Sequence, residues 1–183
     1  DNMEWSRFID KDKAYSGFVK YRKKVIDASE TGKFDEAFID LGTKALEGDA
    51  VAQDCLAYFY NRGLPGFLKQ TYDFYISWEI LACANGNCFA LDKFEFFLQF
   101  GMDYIFEKEL ILKQALRRGN ITQKNALYMI ANLFCESMAD ILKLDAKKLI
   151  KVKNEEVKFS QEVNRKFVMA MESSIPVVAE YLV

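Results

Sequence analysis

Apolar residues recur three and four positions apart over long stretches of this chain, and alternation of apolar with polar residues is nowhere sustained. With proline only at Pro65 and Pro176, the pattern predicts helices throughout. The stretch "LAYFYNRGLPG", residues 56–66, runs an aromatic cluster into two glycines around a proline, and it recurs. Ala52, Leu56, Ala57, Tyr60 and Gly63 are answered by Ala90, Phe94, Leu98 and Gly101, and again by Ala126, Ile130, Ala131, Phe134 and Ser137. Each set falls on one helical stripe, since four-residue steps nearly complete a turn. Gly63 and Gly101 suit helix ends, where a left-handed backbone closes the terminus; Ser137 departs from this.

A second motif accompanies the first. Trp78, Ala82, Cys83 and Gly86 match Ile111, Ala115, Leu116 and Gly119, and a degenerate earlier ending stands at Ala45 and Gly48. The units therefore read as antiparallel helix pairs, 50–63 with 71–85 and 88–100 with 104–118, with a third opening at 123–137. Leu56, Tyr60, Trp78, Phe94, Leu98, Ile130 and Phe134 are the predicted inter-helical core.

The expected fold is all-α, a single domain over 1–183: a degenerate helix pair and cap over 1–49, repeats over 50–137, and a helical cap over 138–183. In that last part Val163, Phe167, Ala170 and Met171 share a helical face, and Pro176 suits the first turn of a final short helix. Val177, Val178, Tyr181 and Leu182 either pack on the preceding helix or form a homodimer surface.

At the repeated residues the chain resembles the Sel1-like repeat family, a relative of tetratricopeptide repeats. The family pattern of alanine, leucine, small residue, tyrosine and glycine is matched by Ala52, Leu56, Ala57, Tyr60 and Gly63. Its second-helix ending is matched by Trp78, Ala82 and Gly86, with Cys83 in place of the usual second alanine. The match is clearest over 50–86 and degenerate to 137; Thr71 and Tyr75 depart from the acidic and alanine positions common in the family. The resemblance implies an α/α solenoid of about three helix pairs whose concave face binds a protein or peptide. Stacked pairs bury one another's faces and leave a long curved surface open.

Composition narrows the chemistry. The chain is 51% hydrophobic with a net charge of −2, which argues against intrinsic disorder and against nucleic-acid binding. No apolar run approaches the roughly 20 residues of a membrane helix. The first residues show no leader-type apolar core, although a leader removed ahead of Asp1 would leave no trace. Cys55, Cys83, Cys88 and Cys135 lack zinc or redox spacing and are expected as buried free thiols, which favours a cytoplasmic setting. The alternative is a Cys83–Cys88 disulfide across the "ANGN" turn. No cofactor or metal site is expected.

There is no histidine, nucleophile elbow, phosphate-binding loop or dinucleotide fingerprint. The leading expectation is a noncatalytic interaction module: an adaptor, scaffold or regulator, or an inhibitory protein that masks an enzyme or toxin. The alternative is a hydrolase or transferase using carboxylates such as Asp54, Asp73, Glu79, Asp92, Glu95 or Glu107, which would require two of them to converge. "KYRKK" at 20–24 is read as an exposed helix face that could also meet an acidic partner. "NIT" at 120–122 is read as a helix-start turn rather than a glycosylation site. In a tetratricopeptide-like stack the first helix of each pair presents the residues between its core positions to the groove. This places Asp54, Tyr58 and Asn61, then Asp92, Phe96 and Gln99, then Asn125, Tyr128 and Asn132 on the partner-binding face. Tyr58, Phe96 and Asn132 form a ladder along it, and Asp54 and Asp92 bias the partner towards a basic segment.

Overall fold

The computed structural model describes residues 7–93, 123–151 and 161–182, and no strand occurs among them. Asp10 opens the first helix, α1 (Lys11–Glu30), by accepting from the Asp12 and Lys13 amides. After a short turn comes α2 (Phe34–Leu46), which completes the pair expected before the clearest repeat. Next are α3 (Ala50–Arg62) and α4 (Tyr72–Ala84), within a residue or so of the expected 50–63 and 71–85. A further helix begins at 88 and is described through 93. Then follow α5 (Gln123–Leu142), a 3-10 turn (Ala146–Lys148) and α6 (Gln161–Leu182). The expected helix at 104–118 lies outside the described residues, as do Phe94, Leu98, Gly101 and Gly119.

The repeated glycines have definite work. Gly63 ends α3 at φ 67°, and a Cβ there would stand 2.9 Å from the Leu68 carbonyl oxygen. That close approach lets Leu64 and Leu68 pair across the loop and returns the chain so that the Thr71 amide donates to Tyr60 O at 2.8 Å. Gly86 follows α4 at φ 83°, where a Cβ would stand 2.8 Å from Arg7 O. The third copy has Ser137 instead, and α5 runs on through it to Leu142, past the expected end at 137. Nothing at 137 supplies a left-handed stop; Lys143, at φ 52°, does.

α3 is the hub, packing on α1, α2 and α4, while α4 also packs on α5 and α5 on α6. One core gathers Phe18, Phe38, Leu56, Tyr60 and Trp78; a second gathers Ile80, Leu91, Ile130, Phe134 and Val178. The five described members of the predicted core, Leu56, Tyr60, Trp78, Ile130 and Phe134, are all buried. All four cysteines are buried and unbridged, so no Cys83–Cys88 disulfide is present. Burial, with Cys135 beside it, pushes the Cys83 thiol well above its usual range.

Two segments depart from a strict neighbour-on-neighbour stack. Residues 144–151 fold back beneath α4: Trp78 Nε1 donates to Leu149 O at 2.6 Å, and the Lys151 amide donates to Tyr60 Oη at 2.9 Å. Ile150 reaches as far as Gly42 of α2, where an added Cβ would meet its Cδ1 at 2.9 Å. At the other end, residues 7–9 lie along the turn after α4. Ile9 N donates to Gly86 O at 2.8 Å, Cys88 N donates to Ile9 O at 3.1 Å, and Arg7 donates to Asn132 Oδ1 and Glu136 of α5.

In α6, Ala170 is buried, with Phe167 and Met171 packed on the second core. Pro176 does not start a separate short helix as expected; it lies inside α6. A proline forfeits one intrahelical hydrogen bond. Ser174, Ile175 and Val178, all buried around it, hold the helix in place on both sides. Val178 packs inward while Val177 is exposed. Among the described residues no helix is long and apolar enough to cross a membrane.

Candidate partner-binding surface

The residues expected on one groove face are distributed between the interior and the surface. Asp54, Tyr128 and Asn132 are buried, which corrects their placement as surface positions. Tyr58 and Asn125 are half-buried, Asn61 is exposed, and Asp92 is half-buried in an ion pair with Lys11. Phe96 and Gln99 lie outside the described residues. The physical reason for the correction is that α3 and α5 each have neighbours on more than one side, so positions between core residues meet another helix instead of solvent. Asn132 donates to Cys83 O at 2.8 Å and accepts from Arg7, satisfying the end of α4. The Tyr128 hydroxyl donates to Asp92 at 2.8 Å. The ladder of Tyr58, Phe96 and Asn132 is thus broken at Asn132.

Asp54 has a different environment. Its side chain is 0% exposed, and Lys93 Nζ donates to Oδ1 at 2.8 Å while standing 3.9 Å from Glu79 Oε1. The same ammonium lies 4.2 Å from the Phe89 ring centroid and 5.3 Å from that of Phe18. Burial first, and the Asp54 charge second, push Glu79 well above the usual carboxylate range. Glu79 is therefore held against ionisation beside Asp54, with the Lys93 ammonium the cation nearest to the pair. With Asp54 held by Lys93 and Asp92 by Lys11, neither aspartate is left to attract a basic segment.

The surface of this end is cationic instead. Two guanidiniums stand over the Tyr58 ring, Arg22 at 5.5 Å and Arg62 at 5.4 Å from its centroid. Tyr58 meets Phe18 edge-on at 5.3 Å, and Phe18 and Phe89 continue the strip to Tyr15, which is 49% exposed. Neither Arg22 nor Arg62 has a carboxylate partner among the described residues. On another flank of α1 lies an open groove of about 890 Å³, whose lining includes four lysines and two aspartates.

The sequence pattern pointed to Tyr58 and to "KYRKK", which supplies Arg22 and three groove lysines, but not to Arg62, Phe89 or Lys93. The last two stand near the predicted Asp92 on the helix that begins at 88, and their partners come from α1, α3 and α4, which no spacing within one helix reveals. An amide relay was also missed: Asn85 donates to Gln53 Oε1 at 2.9 Å, and Gln53 donates to Ala45 O at 3.0 Å. Among the described residues no cluster of three potential metal ligands occurs. No family model, curated protein or solved structure matches the chain.

Proposed function

We propose that this protein is a noncatalytic interaction module, an adaptor, scaffold or regulator, built as a degenerate stack of Sel1-like helix pairs. Its proposed partner is a protein segment carrying carboxylates. The observation that carries this reading is Tyr58 under the guanidiniums of Arg22 and Arg62, neither of which has a carboxylate partner among the described residues, on the face where the first helices of successive pairs meet. A half-buried aromatic ring is a low-entropy anchor, and flanking guanidiniums can take carboxylates in two-point hydrogen bonds. The sign of the expected partner is accordingly reversed, from basic to acidic.

The pairing of α1 with α2 and of α3 with α4 supports the repeat reading, as do glycine-ended helices at the repeated positions. The carboxylate-enzyme alternative draws on Asp54 and Glu79, which do converge. Lys93 sits over that pair, and Asp54 and Glu79 are buried, an arrangement suited to an internal ion network.

The test is affinity capture from the native organism, followed by a binding assay with the recovered partner. Tyr58→Ala combined with Arg62→Ala should leave helicity and thermal midpoint near wild type and weaken partner binding at least about tenfold, the scale of a hot-spot residue. Full affinity in the folded double variant would place the binding surface elsewhere.

A further inference from the structure

The groove along α1 differs from the Tyr58 face in being a concave pocket lined by both apolar residues and lysines. Its lining includes Gly17, Tyr21 and Val51. Gly17 lets α1 close on α3, since a Cβ there would meet Val51 Cγ1 at 2.9 Å. Both acidic residues of the lining are already engaged. Asp27 pairs with Lys23 at 2.7 Å, and Asp49 caps α3 through the Val51 and Ala52 amides while accepting from the Tyr21 hydroxyl. Lys13, Lys20 and Lys24 are exposed, and their ammonium groups have no ion-pair partner among the described residues. In a chain of net charge −2, this places uncompensated positive charge beside an apolar surface.

The lysines stand at intervals of seven and four residues on one side of α1, a span of about 16 Å at roughly 1.5 Å per residue. A ligand with a single anionic head would engage one end of that row only. An extended peptide would turn half its backbone amides and carbonyls towards a wall formed by helix side chains, which offers no ladder to pair with. A helix satisfies its own backbone and can lay an apolar stripe on the apolar lining while its carboxylates meet the lysines.

We infer that the groove beside Lys13, Lys20 and Lys24 is a second docking site, for an acidic amphipathic helix of a partner protein. The inference shares with the proposed function the premise that the protein binds other proteins, but it does not depend on the Tyr58 face.

The test uses the full chain and a fluorescein-labelled Leu/Glu peptide of about 18 residues, long enough as a helix to cover the row. A second peptide has the same composition in scrambled order. Anisotropy should give saturable one-to-one binding of the amphipathic peptide, weakened by added salt, with a gain of peptide helicity. Lys20→Glu with Lys24→Glu should weaken it at least about tenfold, and Tyr58→Ala with Arg62→Ala should leave it unchanged. Lys20→Ala with Lys24→Ala, a milder exposed change, should give an intermediate loss. Equal affinity for the scrambled peptide, binding without a gain of helicity, or unchanged affinity in the folded charge-reversed variant would overturn the proposal. So would sedimentation of the wild type as a dimer that charge reversal dissociates, because a second copy would then fill the groove. Loss of peptide binding on charge reversal, alongside unimpaired partner capture by the Tyr58 and Arg62 variant, would sustain this site while removing the other.

Discussion

α2 and α3 are helices of equal length, 13 residues each, and they bury their side chains in different ways. α2 turns Phe34, Phe38, Leu41 and Ala45 inward along one stripe and leaves Ile39 and Leu46 exposed, the arrangement of a helix with a solvent side. α3 buries Gln53, Asp54 and Cys55 as fully as Leu56 and Tyr60. The difference teaches that position within the packing, more than the composition of a helix, decides what a polar residue does. On α2 a polar residue between core positions meets water. On α3 it meets another helix and must bring a partner: Asp54 has Lys93, and Gln53 has Ala45 O and Asn85.

The sharpest way to break that comparison is at the centre. Trp78→Ala on α4 removes a fully buried ring together with the donor to Leu149 O, and it should cost about 3–5 kcal/mol, read as a lowered urea midpoint. An unchanged midpoint would remove α4 from the core.

The next effect is one of pH. The Glu79 carboxyl is held above its ordinary value of 4.5 in the folded state, so the folded protein binds the proton more tightly than the unfolded chain does. Its contribution is complete below that ordinary value and is lost as pH rises through the folded value. Glu79→Gln puts a group with no titratable proton beside Asp54, and the variant should gain on the wild type in denaturant titrations as pH is raised above the ordinary value of 4.5. A stability difference that stays flat with pH would mean that Glu79 ionises normally. The chain has no histidine, so no imidazole titration obscures this window.

At the small end, Ile39→Ser on the exposed side of α2 should change stability by no more than about 0.5 kcal/mol in the same titration. A loss several times larger would show that α2 has a neighbour on that side too.

Much of the helical layout was legible from the repeated positions. Leu56, Tyr60 and Trp78 announced the core because their spacing follows the turn of the helix, and Gly63 announced an end because only a left-handed residue closes it. Ser137 marked the one copy without that stop, and the helix runs on through it. The site was less legible. Tyr58 was found by its place between core residues, but the same rule carried Asp54 and Asn132 to the surface. It did so because a one-dimensional pattern gives the angle around a helix and not the number of neighbours. Lys93 is the clearest case: its sequence neighbourhood is unremarkable, and its role comes from the meeting of α1, α3, α4 and its own helix at one ammonium.

The return of residues 144–151 to Tyr60 and Trp78, and of Arg7 to Asn132 and Glu136, bears on how the chain reaches this state. In an open array each unit closes on the one beside it, so folding can begin anywhere and spread. Here contacts tie Tyr60 to Lys151 and Arg7 to Glu136, 91 and 129 residues apart. The entropy of closing those loops is lost before their contacts form, which slows folding relative to a purely local helical stack. The same ties link the early and late helices, so that opening at one end is felt at the other.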